Sequence, residues 1–173
     1  MNIFLVGPMG VGKTTIGRSL ARQLGLKFYD SDQVIEHHAG ADISWIFDVE
    51  GEPGFRERET QVLDELTDLD NVLIATGGGA VLRPVNRELL HSRGIVVFLD
   101  TSLELLVKRT EKDKKRPMLQ NADREAVLRR IKTDRQPIYE EVAHLQVFVG
   151  EGSTRRIVNG IVEKLKEEGY VQD

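Results

Sequence analysis

Residues 7–15 read Gly7-Pro8-Met9-Gly10-Val11-Gly12-Lys13-Thr14-Thr15, an ungapped match to G-x-x-x-x-G-K-[ST], and no other stretch so narrows what the chain can fold into. In such a loop the glycines let the backbone curl until successive N–H groups converge on phosphate oxygens. Lys13 would reach the outer phosphates, and the Thr14 hydroxyl suits Mg²⁺. The loop works only between a buried strand and a helix, and both flanks supply that setting. Ile3-Phe4-Leu5-Val6 is a continuous apolar run of strand formers, the pattern of a strand covered on both faces in a parallel sheet. Ile16, Leu20 and Leu24 then recur every four residues, a helical stripe, and Gly25 is a C-terminal stop. The helix would aim its free N–H groups and positive dipole end at the phosphates. Gly10, Val11, Gly12, Lys13, Thr14 and Thr15 are therefore the candidate nucleotide-binding set.

Repeated buried strands separated by helices follow, the pattern of an α/β protein with a parallel sheet. Leu26–Tyr29 reads as a second strand ending at Asp30-Ser31-Asp32. In open α/β sheets ligands sit beyond the carboxyl ends of the strands, so these two acids would face the same crevice as the phosphate loop. Asp30 or Ser31 also has the chemistry to cap a helix beginning near Gln33, and one acid can cap while the other does chemistry. From Asp32 to about Leu69 the pattern is helical, broken at Gly40 and at Gly51-Glu52-Pro53-Gly54. This insertion, 32–69, would project over the sheet as a substrate-holding part. Trp45 and Phe47 read as packing of these helices on the sheet, and Arg56 and Arg58 as a solvated face stapled by acidic neighbours.

Val72–Ala75 is a third buried strand, and Thr76-Gly77-Gly78-Gly79-Ala80 follows it. Many phosphate-loop proteins carry a magnesium-orienting acid at such a strand end. Here there is only glycine, so Asp30 and Asp32 are the replacements at hand. Three glycines let a backbone approach a ligand closely with unshielded N–H donors, and a purely conformational turn is the alternative. A helix from Pro84 to about Ser92 leads to a fourth strand, Ile95–Leu99. Leu103, Leu106 and Val107 mark another helix ending in Lys108 and Arg109, and Arg109 is also a candidate to stack on a base. The charged run Glu111–Leu119 contains Arg116 and Pro117. A basic loop beside a nucleotide can close over its phosphates, supply an arginine to the transferring group and exclude water. Nucleic-acid contact or a plain solvated loop are the other uses of such a run. A helix from Asp123 to about Glu141 contains Pro137, which should kink or end it, before a fifth strand, Leu145–Val149, the turn Gly150–Thr154 and a last helix.

At 173 residues the chain suits one domain, and 40% hydrophobic with 30% charged residues is the balance of a soluble globular protein. A formal net charge of −4 argues against broad nucleic-acid binding. Cysteine is absent, which excludes disulfides and thiolate metal sites and agrees with a cytoplasmic location. No signal peptide is read at Met1, and the longest charge-free apolar stretches are well short of the ~20 residues a bilayer requires. His37, His38, His91 and His144 lack metal-ligand spacing and are given no chemistry.

The separated motifs together give a more specific reading. The phosphate loop running on to Ile16-Gly17, Asp30-Ser31-Asp32, Gly51-Glu52 with Phe55-Arg56 and Glu59, Gly77-Gly78-Gly79, Arg116-Pro117, and Arg135 with Tyr139 occur in this order, and over essentially its whole length the chain resembles the shikimate kinases. The resemblance implies a three-layer P-loop NTPase fold of the α/β class, with a five-stranded parallel sheet flanked by helices. One domain, 1–173, would carry the helical substrate-binding insertion 32–69 and a mobile lid, 111–122. It further implies transfer of the γ-phosphoryl group of ATP to the 3-hydroxyl of shikimate, a step towards chorismate and the aromatic amino acids. ATP and Mg²⁺ would be required, and shikimate would be the partner of a cytoplasmic monomer without nucleic-acid or membrane contacts.

By position, the resemblance makes Lys13, Asp32 and Arg116 the catalytic set. Asp32 would contact the reacting hydroxyl as base or orienter, while Lys13 and Arg116 would meet the transferring phosphoryl group. Thr14 would bind Mg²⁺ directly and Asp30 through water. Arg56 and Arg135 would grip the substrate carboxylate, with Glu59 ordering Arg56, Gly78 donating its N–H, and Gly77 and Gly79 beside it. Arg109 would lie near adenine, as would Ser153 in the stretch Gly152-Ser153-Thr154. Met118 stands where leucine is common after Arg-Pro. Two rivals are another small-molecule kinase, acting on gluconate or a nucleoside monophosphate, and a nucleotide-dependent switch. The chain has no [NT]-K-x-D guanine signature, and a switch has no need of Asp32, Arg56 and Arg135 together.

Overall fold

In chain order the elements are β1 (Ile3–Val6), α1 (Lys13–Leu24), β2 (Lys27–Asp30), α2 (Ser31–Ala39), α3 (Ile43–Thr67), β3 (Val72–Ala75), a short 3₁₀ turn (Ala80–Leu82), α4 (Pro84–Arg93), β4 (Ile95–Asp100), α5 (Leu103–Thr110), α6 (Arg124–Val142), β5 (Leu145–Phe148) and α7 (Thr154–Glu167). The computed structural model describes residues 1–111 and 123–173, so Arg116, Met118 and the expected lid beyond Glu111 lie outside the described residues. All strand pairings are parallel, in the order β2-β3-β1-β4-β5. This is the five-stranded, three-layer α/β arrangement expected from the run of buried strands.

Alternation along the strands decides the layers. Ile3, Leu5, Leu73, Val97 and Leu99 pack with Ile16 and Leu20 of α1 and with Val158, Ile161 and Leu165 of α7. Phe4, Val6, Ile74, Val96 and Phe98 face the other way, onto Ile35, Val62, Leu63, Leu90 and Tyr139. Helices on both faces leave the central strands with no polar side, which is why β1 and β3 are wholly apolar. Because β1 lies between β3 and β4, the chain reverses its progress across the sheet there. A crevice opens at such a point beyond the strand ends, and the phosphate loop leaves β1 into it.

The insertion between β2 and β3 is helical, as its pattern indicated. Gly40 ends α2 with a left-handed φ of 69°, and Gly51 breaks α3 with φ 71° and ψ 177°. Pro53 then falls in the first turn of the restarted helix, where its missing N–H costs nothing. Phe47 packs on Phe55 with ring centroids 4.8 Å apart, but Trp45 is 48% exposed and does not join the sheet packing anticipated for it. Of the two outcomes expected at Pro137, a kink or an end, the helix does not end there, because α6 continues through it to Val142. The lost hydrogen bond and ring clash cost about 3 kcal/mol. Seating Tyr139 and Val142 in the core returns roughly 1.5–3 kcal/mol each, enough to keep the last turn helical.

At the sheet's other end, the His144 backbone N–H donates to the Val96 carbonyl (2.8 Å) and its Nδ1 accepts from the Val96 N–H (2.9 Å). That geometry needs an unprotonated Nδ1. The His91 ring stacks on His144 at 4.1 Å. Burial, and then the neighbouring His91, hold the His144 pKa below its ordinary value of 6.5. A depressed folded pKa stabilises the fold above the ordinary value, and this contribution is lost as pH falls through the folded one. The melting temperature should therefore drop between about pH 7.5 and pH 5.5, and His144→Leu should shrink that drop. An undiminished drop would place the acid sensitivity elsewhere.

Candidate active site

The loop after β1 is shaped by close approach. A Cβ at Gly7 would collide with the Leu99 carbonyl oxygen, so the loop leaves the sheet against β4 only with glycine there. Gly12, at φ 104° and ψ 26°, takes the N-cap place of α1 without a side-chain cap, and the first-turn N–H groups of that helix face the loop. Lys13 is buried, and its ammonium donates to the Gly7 and Pro8 carbonyls at 2.7 and 2.9 Å. Arg109 of α5 donates to the Val11 carbonyl (2.7 Å), so this guanidinium braces the loop from above. Val11 itself is buried and holds its place through that carbonyl.

A cavity of about 430 Å³ lies against this loop. Gly10, Gly12, Lys13, Thr14 and Thr15 form one side, and Asp30, Asp32, Gly77, Gly78 and Arg109 close round it. Gly152 and Thr154 complete the rim. Ser153, expected among the nucleotide contacts, instead caps α7 by accepting from the Arg156 N–H (3.2 Å).

Asp30 is the helix cap that the sequence allowed, and its second oxygen also faces the phosphate loop. Its Oδ1 accepts from the Asp32 and Gln33 N–H groups (3.0 and 3.2 Å) and caps α2, while Oδ2 accepts from the Thr14 hydroxyl at 2.6 Å. The helix therefore starts at Ser31, two residues before the expected Gln33, because the cap is Asp30. Thr14 and Asp30 thus place two hard oxygens side by side on the cavity wall. No group of three or more acidic or histidine residues suited to a metal occurs among the described residues. A donor set of one hydroxyl and one carboxylate fits Mg²⁺, which keeps waters and phosphate oxygens in most of its positions.

Beyond β3, the three glycines line up with the residues that the resemblance singled out. A Cβ at Gly77 would lie 2.6 Å from Asp32 Oδ1 and 3.2 Å from Glu59 Oε2. One at Gly78 would lie 3.3 Å from the Met9 N of the phosphate loop and 3.5 Å from Arg135 Nη1. One at Gly79 would lie 2.7 Å from Cζ and Nη1 of Arg56. Asp32 from α2, Arg56 from α3 and Arg135 from α6 are thereby gathered at one short turn next to the phosphate loop.

Arg56 and Arg135 are each only 7% exposed, so neither belongs to a solvated helix face. Arg56 pairs with Glu59 (2.8 Å) and Glu52 (3.4 Å). Burial raises the Glu59 pKa, with the Arg56 charge acting against it. Arg58, two residues on, does follow the bland reading, since it makes a two-pronged pair with Glu50 at the rim of the insertion. Arg56 Nε and Glu59 Oε2 are buried without a hydrogen-bond partner among the described residues. Buried polar atoms of this kind are completed by an ordered water or by a bound polar group.

Two further residues hold this turn: Ser31, which the sequence offered only as an alternative helix cap, and Tyr139, named there only beside Arg135. Ser31 is fully buried, and its hydroxyl accepts from the Gly77 N–H (3.2 Å). Tyr139 donates a short hydrogen bond to the Gly78 carbonyl. Tyr139 was traceable as the residue four beyond Arg135, hence on the same helical face. Nothing in the local pattern marks Ser31, because its partner lies 46 residues away.

The comparisons with known proteins agree with this geometry. The family description "Shikimate kinase" matches residues 9–166. The shikimate kinase of Pseudoalteromonas atlantica is 54% identical over 166 residues, covering 96% of this chain and 97% of that one. That of Legionella pneumophila strain Corby is 52% identical over 167 residues, covering 96% and 95%. Among solved structures, the shikimate kinase from Acinetobacter baumannii in complex with shikimate has a TM-score of 0.96 at 49% identity, covering 98% of this chain and 95% of that one. With the phosphate loop, the paired hard oxygens and the glycine turn in place, the chain belongs to the shikimate kinase family.

Proposed function

We propose that the chain transfers the γ-phosphoryl group of ATP to the 3-hydroxyl of shikimate, giving shikimate 3-phosphate and ADP in the route to chorismate and the aromatic amino acids. The carrying observation is the glycine turn, which sets one carboxylate and two buried guanidinium groups beside the phosphate loop. A relative of this fold has shikimate bound, and shikimate offers one carboxylate and three hydroxyls to such a wall. Two guanidinium groups suit the carboxylate because each donates parallel bonds, which lysine cannot copy. The insertion, 32–69, serves as the acceptor-binding part, contributing Asp32, Arg56 and Glu59.

Phosphoryl transfer asks the protein mainly for alignment and neutralised charge. Lys13 leaves its loop carbonyls to meet the phosphates, and the free N–H groups at the start of α1 hold the same oxygens. Asp32, on the cavity wall beside Gly77, orients the acceptor hydroxyl and takes up its proton. Arg109 lies against the nucleotide, and Arg116 belongs to the segment that would meet the transferring group. Mg²⁺, held by Thr14 directly and Asp30 through water, would neutralise charge on the β- and γ-phosphates.

ADP release measured in parallel with shikimate, gluconate and AMP as acceptors should show rapid turnover with shikimate alone, and equal or faster turnover with either of the others would overturn the assignment. Arg56→Lys and Arg135→Lys should each weaken the apparent affinity for shikimate by roughly 1–3 kcal/mol while sparing ATP. An unchanged shikimate KM would remove that arginine from the pocket. Asp30→Asn keeps a capping oxygen, so the melting temperature should stay within about 3 °C, while the Mg²⁺ concentration for half-maximal rate rises. Unaltered magnesium dependence would leave Asp30 as a helix cap and nothing more.

A further inference from the structure

The glycine turn has six backbone polar groups, and their partners account for four of them. The Gly77 N–H goes to Ser31 Oγ, the Gly77 carbonyl accepts from the Ala80 N–H (3.1 Å), and the Gly79 carbonyl accepts from the Leu82 N–H (3.1 Å). The Gly78 carbonyl accepts from the Tyr139 hydroxyl. What remains is a consecutive pair, the N–H groups of Gly78 and Gly79, neither of which has a partner among the described residues. Gly79 is buried, and an unmet N–H in such a place is costly unless a ligand takes it. Adjacent free N–H groups form an anion-binding concavity, and this one is flanked by Arg135 at Gly78 and Arg56 at Gly79.

The direction of the second N–H is not independent of Tyr139. In a planar trans peptide the N–H of one residue points opposite to the carbonyl of the residue before it. Holding the Gly78 carbonyl on the α6 side therefore turns the Gly79 N–H away from α6. Tyr139 sits one helical turn after Arg135, so the same helix supplies the guanidinium and sets the peptide plane beside it. The phenol ring itself is fixed by burial at 1% exposure and by stacking on Phe98 at 5.0 Å. Burial pushes the Tyr139 pKa up to about 12 against the opposing charge and hydrogen bond of Arg135, so the hydroxyl stays protonated throughout the working pH range and faces both the Gly78 carbonyl and that guanidinium.

We infer that Tyr139 is a positioning residue for the acceptor: by holding the Gly78 carbonyl it presents the Gly79 N–H, alongside that of Gly78, to the substrate carboxylate between Arg56 and Arg135. This rests on the proposed shikimate reading and adds the residue that aims the N–H groups of the glycine turn. A hydroxyl that served stability alone would show up in melting temperature and would not distinguish one acceptor from another.

The test is Tyr139→Phe, which keeps the ring and removes the donor. The KM for shikimate should rise roughly tenfold, as for a lost hydrogen bond to a charged group, with the KM for ATP unchanged. The KM for shikimate methyl ester, which lacks the anion, should be the same in both proteins. An unchanged shikimate KM, or an equal rise for acid and ester or for ATP, overturns the inference. As a measurement independent of the variant's folding, the ¹H–¹⁵N resonances of both Gly78 and Gly79 in the unsubstituted protein should move downfield when shikimate is added, and a stationary Gly79 overturns it. If the unsubstituted protein releases no ADP with shikimate, the proposed function fails instead, a separable result.

Discussion

Three side chains from three different helices meet at one wall because the segment facing them has no side chains at all. A Cβ on Gly77, Gly78 or Gly79 would occupy the place of Asp32, press on Arg135 and Met9, or collide with the Arg56 guanidinium. Backbone N–H groups come to the same surface without a screen. This steric requirement leaves the end of β3 without a carboxylate and with two guanidinium groups beside bare backbone. The hard oxygens on the cavity wall are instead those of Thr14 and Asp30, held together by a hydrogen bond.

Holding two arginines nearly out of water is expensive, several kcal/mol for each ion before compensation. Glu59 offsets part of this for Arg56, and its own burial is tolerable because that guanidinium lies 2.8 Å away. Replacing such a pair by apolar groups is often neutral or favourable to folding. Folding stability alone therefore does not account for its presence, and the pair holds the Arg56 guanidinium rigidly at the glycine turn. Asp30 follows the same economy on a smaller scale, since one carboxylate starts α2 and holds the Thr14 hydroxyl in place.

Where sequence reasoning went astray, longer-range packing had overruled a local rule. Pro137 was expected to kink or end α6, and the helix does not end there because Tyr139 and Val142 are core residues that keep the last turn helical. Trp45 looked like core and is half exposed, because its neighbours Ile43, Ile46 and Phe47 take the inward face of the first part of α3 and leave Trp45 on the outer one. Arg56 and Arg58 looked alike beside their acidic neighbours. They differ because two residues on a helix point to opposite sides, one into the site and one to the rim. Ser153 sits in the right turn, but its hydroxyl is used by the helix it begins.

From its residues alone the chain determined the strand, loop and helix of the phosphate site, the five buried strands and the helical insertion. These follow from apolar periodicity, glycine and capping chemistry, which act over a few neighbouring positions. Only the tertiary structure decided that Asp32, Arg56 and Arg135 share a wall, that Ser31 and Tyr139 hold the turn opposite them, and that two N–H groups are left over. Those outcomes depend on sheet order and on how three helices pack over it, and contacts such as Gly77 with Ser31 or Gly78 with Tyr139, 46 and 61 residues apart, leave no trace in local pattern.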